Sequence, residues 1–93
     1  MNSQSSRTIQ EAVTTESPEE VIAAAKVFFA RRNSVYAAFL EKEGNGWATF
    51  RGQGGEEIAI GATKADSGTR VTGSTYLFDQ QVARFLSSLT PVS

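Results

Sequence analysis

Few residues in this chain are of types that do chemistry. Glu56 and Glu57 adjoin, as an acid and base pair or two oxygen ligands of a hard cation would, yet no third carboxylate converges on them in sequence. They border a glycine turn and read as turn and solvent-face residues. Gly52-Gln53-Gly54-Gly55 has the glycine content of a phosphate loop, but it opens no helix and no Lys-Ser or Lys-Thr follows it. A hairpin turn is the simpler reading, and Asp66-Ser67-Gly68 is turn chemistry of the same kind. Arg51, Lys64 and Arg70 project from predicted strands without a base or nucleophile beside them, and Arg51 can pair across the sheet with Glu57 at the surface. Tyr36 and Tyr76 carry hydroxyls suited to hydrogen bonding, though packing at a sheet margin is the commoner use of tyrosine. The chain has no histidine and no cysteine. That removes the usual zinc ligands, the usual general base and every Ser-His or Cys-His arrangement. No catalytic residue, metal site or cofactor is expected, and the chain reads as a non-enzyme.

Composition bounds the remaining classes. With 93 residues the chain makes one domain with a small core. A formal net charge of -1 with scattered Lys and Arg offers no basic stripe to neutralise phosphates, so nucleic acid is not an expected partner. The longest apolar run, Val21 to Ala30, is broken by Lys26 and falls short of the roughly 20 residues of a membrane span. The polar start, Met1 to Ser6, has no hydrophobic signal core and reads as a disordered tail ahead of a domain over 7–91. Without cysteines, redox chemistry does not mark a compartment, and a soluble cytoplasmic protein is the default expectation.

The elements that position these residues follow from pattern. Arg7 to Thr15 is rich in β-branched residues and predicts a strand. Ser17-Pro18-Glu19-Glu20 combines a capping serine, a proline at the first helical position and a glutamate three residues on, so a helix begins at Pro18. Val21, Ile22, Ala25, Phe28 and Phe29 give it one apolar face, and Arg31 and Arg32 suit its negative end. From Asn33 to Glu43 a strand is expected, paired through an Asn45-Gly46 turn with Trp47 to Phe50; a continuous helix from Pro18 to Glu43 is the rival. Gly54-Gly55-Glu56 as a loop puts Ala48, Phe50, Ile58, Ile60 and Ala62 on one face. A loop of Ala65 to Gly68 sets Val71 opposite Ala62 on that face. Gly61 and Gly73 mark a bend or a close helix. Phe78, Val82, Phe85, Leu86 and Leu89 form the stripe of a last helix, capped by Ser74 or Thr75 and stopped by Pro91. The result is an α+β fold, β-α-β-β-β-β-α, an antiparallel sheet of about five strands with two helices packed on one face.

An Asn45-Gly46 turn of two residues sends Val35, Ala37 and Phe39 to the core with Phe50. Tyr36, Ala38, Leu40 and Trp47 then fall on the opposite face. Large apolar residues on an uncovered sheet face mark a contact surface, so Tyr36, Leu40, Trp47 and the neighbouring Arg51 are the candidate contact residues.

Two local features resemble the helix-grip fold of START-like and polyketide-cyclase-like ligand-binding proteins. They are the Ser17-Pro18-Glu19-Glu20-Val21 helix start after a first strand, and Gly68-Thr69-Arg70-Val71 running into a terminal helix at Leu77 to Leu89. The chain lacks further strands and a short helix that those proteins carry. The resemblance implies a pocket between sheet and last helix, lined by Phe50, Ile60, Phe78 and Phe85, for a small hydrophobic ligand such as a lipid or pigment. Two functions are therefore expected. The first is an interaction module that self-associates, or docks as an accessory subunit on a larger protein assembly, through its exposed sheet face. The alternative is a carrier of a small apolar ligand.

Overall fold

A computed structural model describes residues 7–32, 38–52 and 54–92. Strand β1 (Arg7–Thr14) leads to helix α1 (Pro18–Val27), which continues into a single π-helical turn at Phe28–Arg32. Strands β2 (Ala38–Gly44), β3 (Trp47–Gly52), β4 (Glu57–Ala65) and β5 (Gly68–Tyr76) form a meander, and helix α2 (Asp79–Ser88) follows. All pairings are antiparallel, and the order across the sheet is β1-β5-β4-β3-β2. The fold class is the expected one, and β2 as a strand rules out the continuous helix from Pro18 to Glu43. Residues 1–6 lie outside the described residues, as do Asn33-Ser34, Val35, Tyr36 and Ala37.

Helix α1 starts where the sequence pattern puts it. The Ser17 hydroxyl accepts from the Glu20 amide at 3.1 Å, and the Glu20 carboxylate accepts from the Ser17 amide at 2.8 Å. Two otherwise orphaned donors are satisfied reciprocally. Its apolar face buries Val21, Ile22 and Ala25, and Phe29 in the turn beyond is buried as well. At the start of α2 the Thr75 hydroxyl accepts from the Phe78 amide at 3.3 Å while donating to the Glu57 carbonyl at 2.9 Å. The whole predicted stripe from Phe78 to Leu89 is buried.

The core lies between one sheet face and both helices. Phe29 stands at its centre, with ring centroids 5.3 Å from both Phe50 and Phe85, and Phe28 closes the side at 5.2 Å from Phe29. From the sheet come Ala48, Phe50, Ile58, Ile60, Ala62 and Val71, as the alternation predicts. β4 begins at Glu57, and Glu56 stays in the connection, closing it through its carbonyl, which accepts from the Gly52 amide at 2.8 Å; the shared face is the expected one. Gly73 faces α2 closely: a Cβ there would lie 2.5 Å from Val82 Cγ1. Gly61 is on the other face, and a Cβ on it would meet the Thr72 hydroxyl at 3.0 Å rather than a helix.

One expectation is corrected. The Asn45-Gly46 turn has two residues, since Gly44 faces Trp47, but the β2–β3 register shifts between Leu40 and Lys42. This bulge at Glu41 turns over every side chain before it. Ala38 is buried and Leu40 faces Phe50 on the helix side, whereas Phe39 faces Arg51 on the open side and is 59% exposed. The small Ala38 takes the place beneath the turn after α1 that Phe39 was expected to fill, and β2 packs against that turn. Glu43, on the turn side of the bulge, keeps the register the turn sets opposite Ala48 and forms an ion pair with Lys26 of α1 at 2.6 Å.

Candidate functional site

Both helices pack on one side of the sheet, and among the described residues no element covers the other side. Alternation along each strand decides what it presents. Registers then set the rows: Tyr76, Glu57, Arg51 and Phe39 lie across one end, and Ser74, Ala59, Thr49 and Lys42 across the middle. The next row holds Glu11, Thr72, Gly61 and Trp47. Small residues therefore run down the centre, flanked by Trp47 and Phe39 toward β2 and by Ile9 and Val13 on β1. Ile9 is 72% exposed and Trp47 is 42% exposed. The Trp47 indole lies across Gly44, where a Cβ would collide with its Nε1. Five large apolar side chains (Ile9, Val13, Phe39, Trp47 and Tyr76) are thus exposed on one face, with no element over them among the described residues.

The predicted contact residues fare differently. Trp47 and Arg51 are on the open face as expected. Leu40 is not; it belongs to the helix side at the β2 edge, and Phe39 stands in its place. Tyr36 lies outside the described residues. Ile9, Val13 and Phe39 were missed. The β-branched Ile9 and Val13 at odd positions of β1 were a usable signal, masked by the uneven alternation of the segment.

Arg51 is engaged. Its Nε and Nη2 donate to the two Glu41 carboxylate oxygens at 3.1 Å each, and its Nη1 donates to the Gly55 carbonyl at 3.2 Å. The hydrogen bond and charge of Glu41, with a smaller contribution from Glu57, raise the guanidinium pKa above its ordinary value. Glu57 faces Arg51 in register, but the bidentate partner is Glu41, which the bulge swings into reach. Glu56 has a turn role, its carboxylate accepting from the Gly54 amide at 3.0 Å. Among the described residues no group of three metal-ligating side chains converges. No described helix is long and apolar enough to cross a membrane.

Phe50, Ile60, Phe78 and Phe85, the residues of the expected pocket, are all buried. Phe29 occupies the space that a ligand between sheet and α2 would need, within aromatic contact of both Phe50 and Phe85.

No family model matches the chain, and neither the curated proteins nor the solved structures contain a match to it.

Proposed function

We propose that this chain is a small non-enzymatic interaction module that joins a protein assembly through its open sheet face. One observation carries the reading: a five-stranded sheet with both helices on one side exposes Ile9, Val13, Phe39, Trp47 and Tyr76 together on the other. From strand spacing and rise the face measures about 20 by 24 Å, a large share of what one partner contributes to a small interface. Five large apolar side chains exposed around a small, polar centre on one face support its use as a contact surface. Tyr and Trp, with an apolar body and a polar edge, suit such a surface, and the engaged Arg51–Glu41 pair limits the charge to be desolvated at its end. The aromatic filling between sheet and α2 supports this reading over a ligand carrier.

The test is a combined Phe39→Lys and Trp47→Lys variant. Both side chains are exposed, so the circular dichroism spectrum and the melting temperature should stay close to those of the parent. The tagged parent should run in native extracts above monomer mass, and the variant as a free monomer. Equal native masses for parent and folded variant would refute the proposal.

A further inference from the structure

The two edges of the sheet are unlike. An edge strand offers unpaired N–H and C=O groups to any passing strand, and proteins guard such edges with bulges, lysine, proline or inward charge. The β2 edge is guarded: it bulges at Glu41 and carries the charged run Glu41-Lys42-Glu43. The β1 edge has no bulge, lysine or proline, and its eight residues pair with β5 in unbroken register from Arg7 to Thr14.

The open side of β1 can be assigned. Successive residues of a strand aim their backbone groups to opposite sides. Thr14 faces Thr69 of β5, and a Cβ on Gly68 would collide with its carbonyl oxygen, which therefore points toward β5. Thr15, one residue on, donates its amide to the Thr90 carbonyl at 3.1 Å on the far side, where Pro91 bridges Thr14. Arg7, Ile9, Glu11 and Val13 share the parity of Thr15. Their amides and carbonyls face away from β5; the C-terminal residues lie along that edge from Val13 onward, flanking the Thr14–Pro91 bridge, and among the described residues no strand pairs with Arg7, Ile9 or Glu11 there.

An isologous contact requires one patch to complement itself. Arg7 and Glu11 stand two residues either side of Ile9 and are opposite in charge. Turned about an axis through Ile9, a second β1 sets Arg7 against Glu11 at both ends and Ile9 against Ile9 at the centre. An axis through Gln10 would instead set Arg7 against Val13 and Glu11 against Ile9, leaving both charges unmatched beside the Pro91 segment.

We propose that two copies of this chain join antiparallel through β1, with Ile9 facing Ile9 and Arg7 facing Glu11 of the second copy, making one continuous sheet of ten strands. The pairing forms about six backbone hydrogen bonds and adjoins two β-branched side chains on the open face. It rests on the interaction-module reading and names its partner as a second copy. The two open faces become one surface twice as wide, with Ile9 at its centre.

The chain has no cysteine, so a single Ile9→Cys reports on this contact alone. Facing positions of a hydrogen-bonded antiparallel pair lie about 5.5 Å apart, within disulfide reach. Mild oxidation should cross-link Ile9→Cys, whereas Thr63→Cys and Val13→Cys should stay uncross-linked. In sedimentation the parent should be dimeric at micromolar concentration. Glu11→Pro should be a folded monomer, because the amide it removes faces the second copy and not β5. Arg7→Glu should weaken dimerisation about tenfold, and adding Glu11→Arg should restore it. A parent that stays monomeric, or a dimer in which cysteine at 9 cross-links no better than at 63, overturns the proposal. So does a charge swap without rescue. If the dimer falls apart in the Phe39→Lys, Trp47→Lys variant but ignores Glu11→Pro, the face reading stands and the edge pairing fails. If native mass spectrometry finds a different polypeptide on β1, the edge pairing fails and the module reading survives. Should Glu11→Pro not fold, the cross-link and the charge swap decide.

Discussion

Gly73 and Val82 form the tightest approach of α2 to the sheet, and a double-mutant cycle measures it. A Cβ on Gly73 would sit 2.5 Å from Val82 Cγ1, about 0.9 Å inside ordinary contact, which begins near 3.4 Å. Val82 is branched and fully buried, so its methyl has nowhere to turn. Gly73→Ala should therefore cost about 1–3 kcal/mol, the usual range for overpacking, even though alanine restricts the unfolded chain. Val82→Ala should cost about 2–3 kcal/mol for two buried methyls and the cavity they leave. Together the two changes fit. With Cγ1 gone, the nearest atoms to the new Cβ are Ile60 Cδ1 at 3.5 Å and the residue 82 Cβ at 3.8 Å, both ordinary contacts. The double variant should be no less stable than Val82→Ala alone, a favourable coupling of about 2 kcal/mol. Urea titration of the four proteins gives the coupling directly, and in melting temperature it amounts to roughly 8–16 °C at this chain length. Additivity within about 0.5 kcal/mol would refute the close packing of α2 on β5.

Two further changes test local features. Leu77 links β5 to α2 with φ of 84°, in the left-handed region, and its side chain is 63% exposed. Leu77→Gly should therefore raise stability by about 0.5–1 kcal/mol, seen as a higher urea midpoint at unchanged slope; a lower midpoint would mean the leucine is held by contacts that outweigh the strain. Ser17→Ala removes the oxygen that accepts from the Glu20 amide and should cost about 1 kcal/mol, with Ser17→Asp recovering most of it; equal midpoints for Ala and Asp would deny the cap.

The fold explains why one side of the sheet is proposed for contact and the other is not. Phe29, lodged between Phe50 and Phe85, ties the turn after α1 to both β3 and α2. The helix side is thereby filled by the chain's own rings. On the open side the flanking residues are large and the central ones small, and among the described residues no helix or strand packs over them. That division follows from having two helices and five strands: two amphipathic helices have enough apolar surface to cover one sheet face only.

Much of this was legible from residue types and spacing. The Ser17-Pro18-Glu19-Glu20 start, the stripe from Phe78 to Leu89, the meander from β2 to β5 and the shared face of Ala48, Phe50, Ile58, Ile60 and Ala62 all rest on local rules: caps act within one turn, helical faces repeat every 3.6 residues and strand faces every two. The partner of β1 could not be read that way, because the pairing of Arg7 with Tyr76 joins residues far apart in sequence that nothing local links. Nor could the bulge at Glu41. Inserting one residue costs little in the ladder, yet it inverts the face of everything on its far side. What selects it is non-local: room for Ala38 but not Phe39 under the turn after α1, and Arg51 waiting for Glu41. Local pattern thus determined which segments are strands and helices and which faces are apolar. Tertiary packing decided which of two neighbouring hydrophobic residues, Phe39 or Leu40, looks out at solvent, since a period of two leaves that choice to a single residue of register.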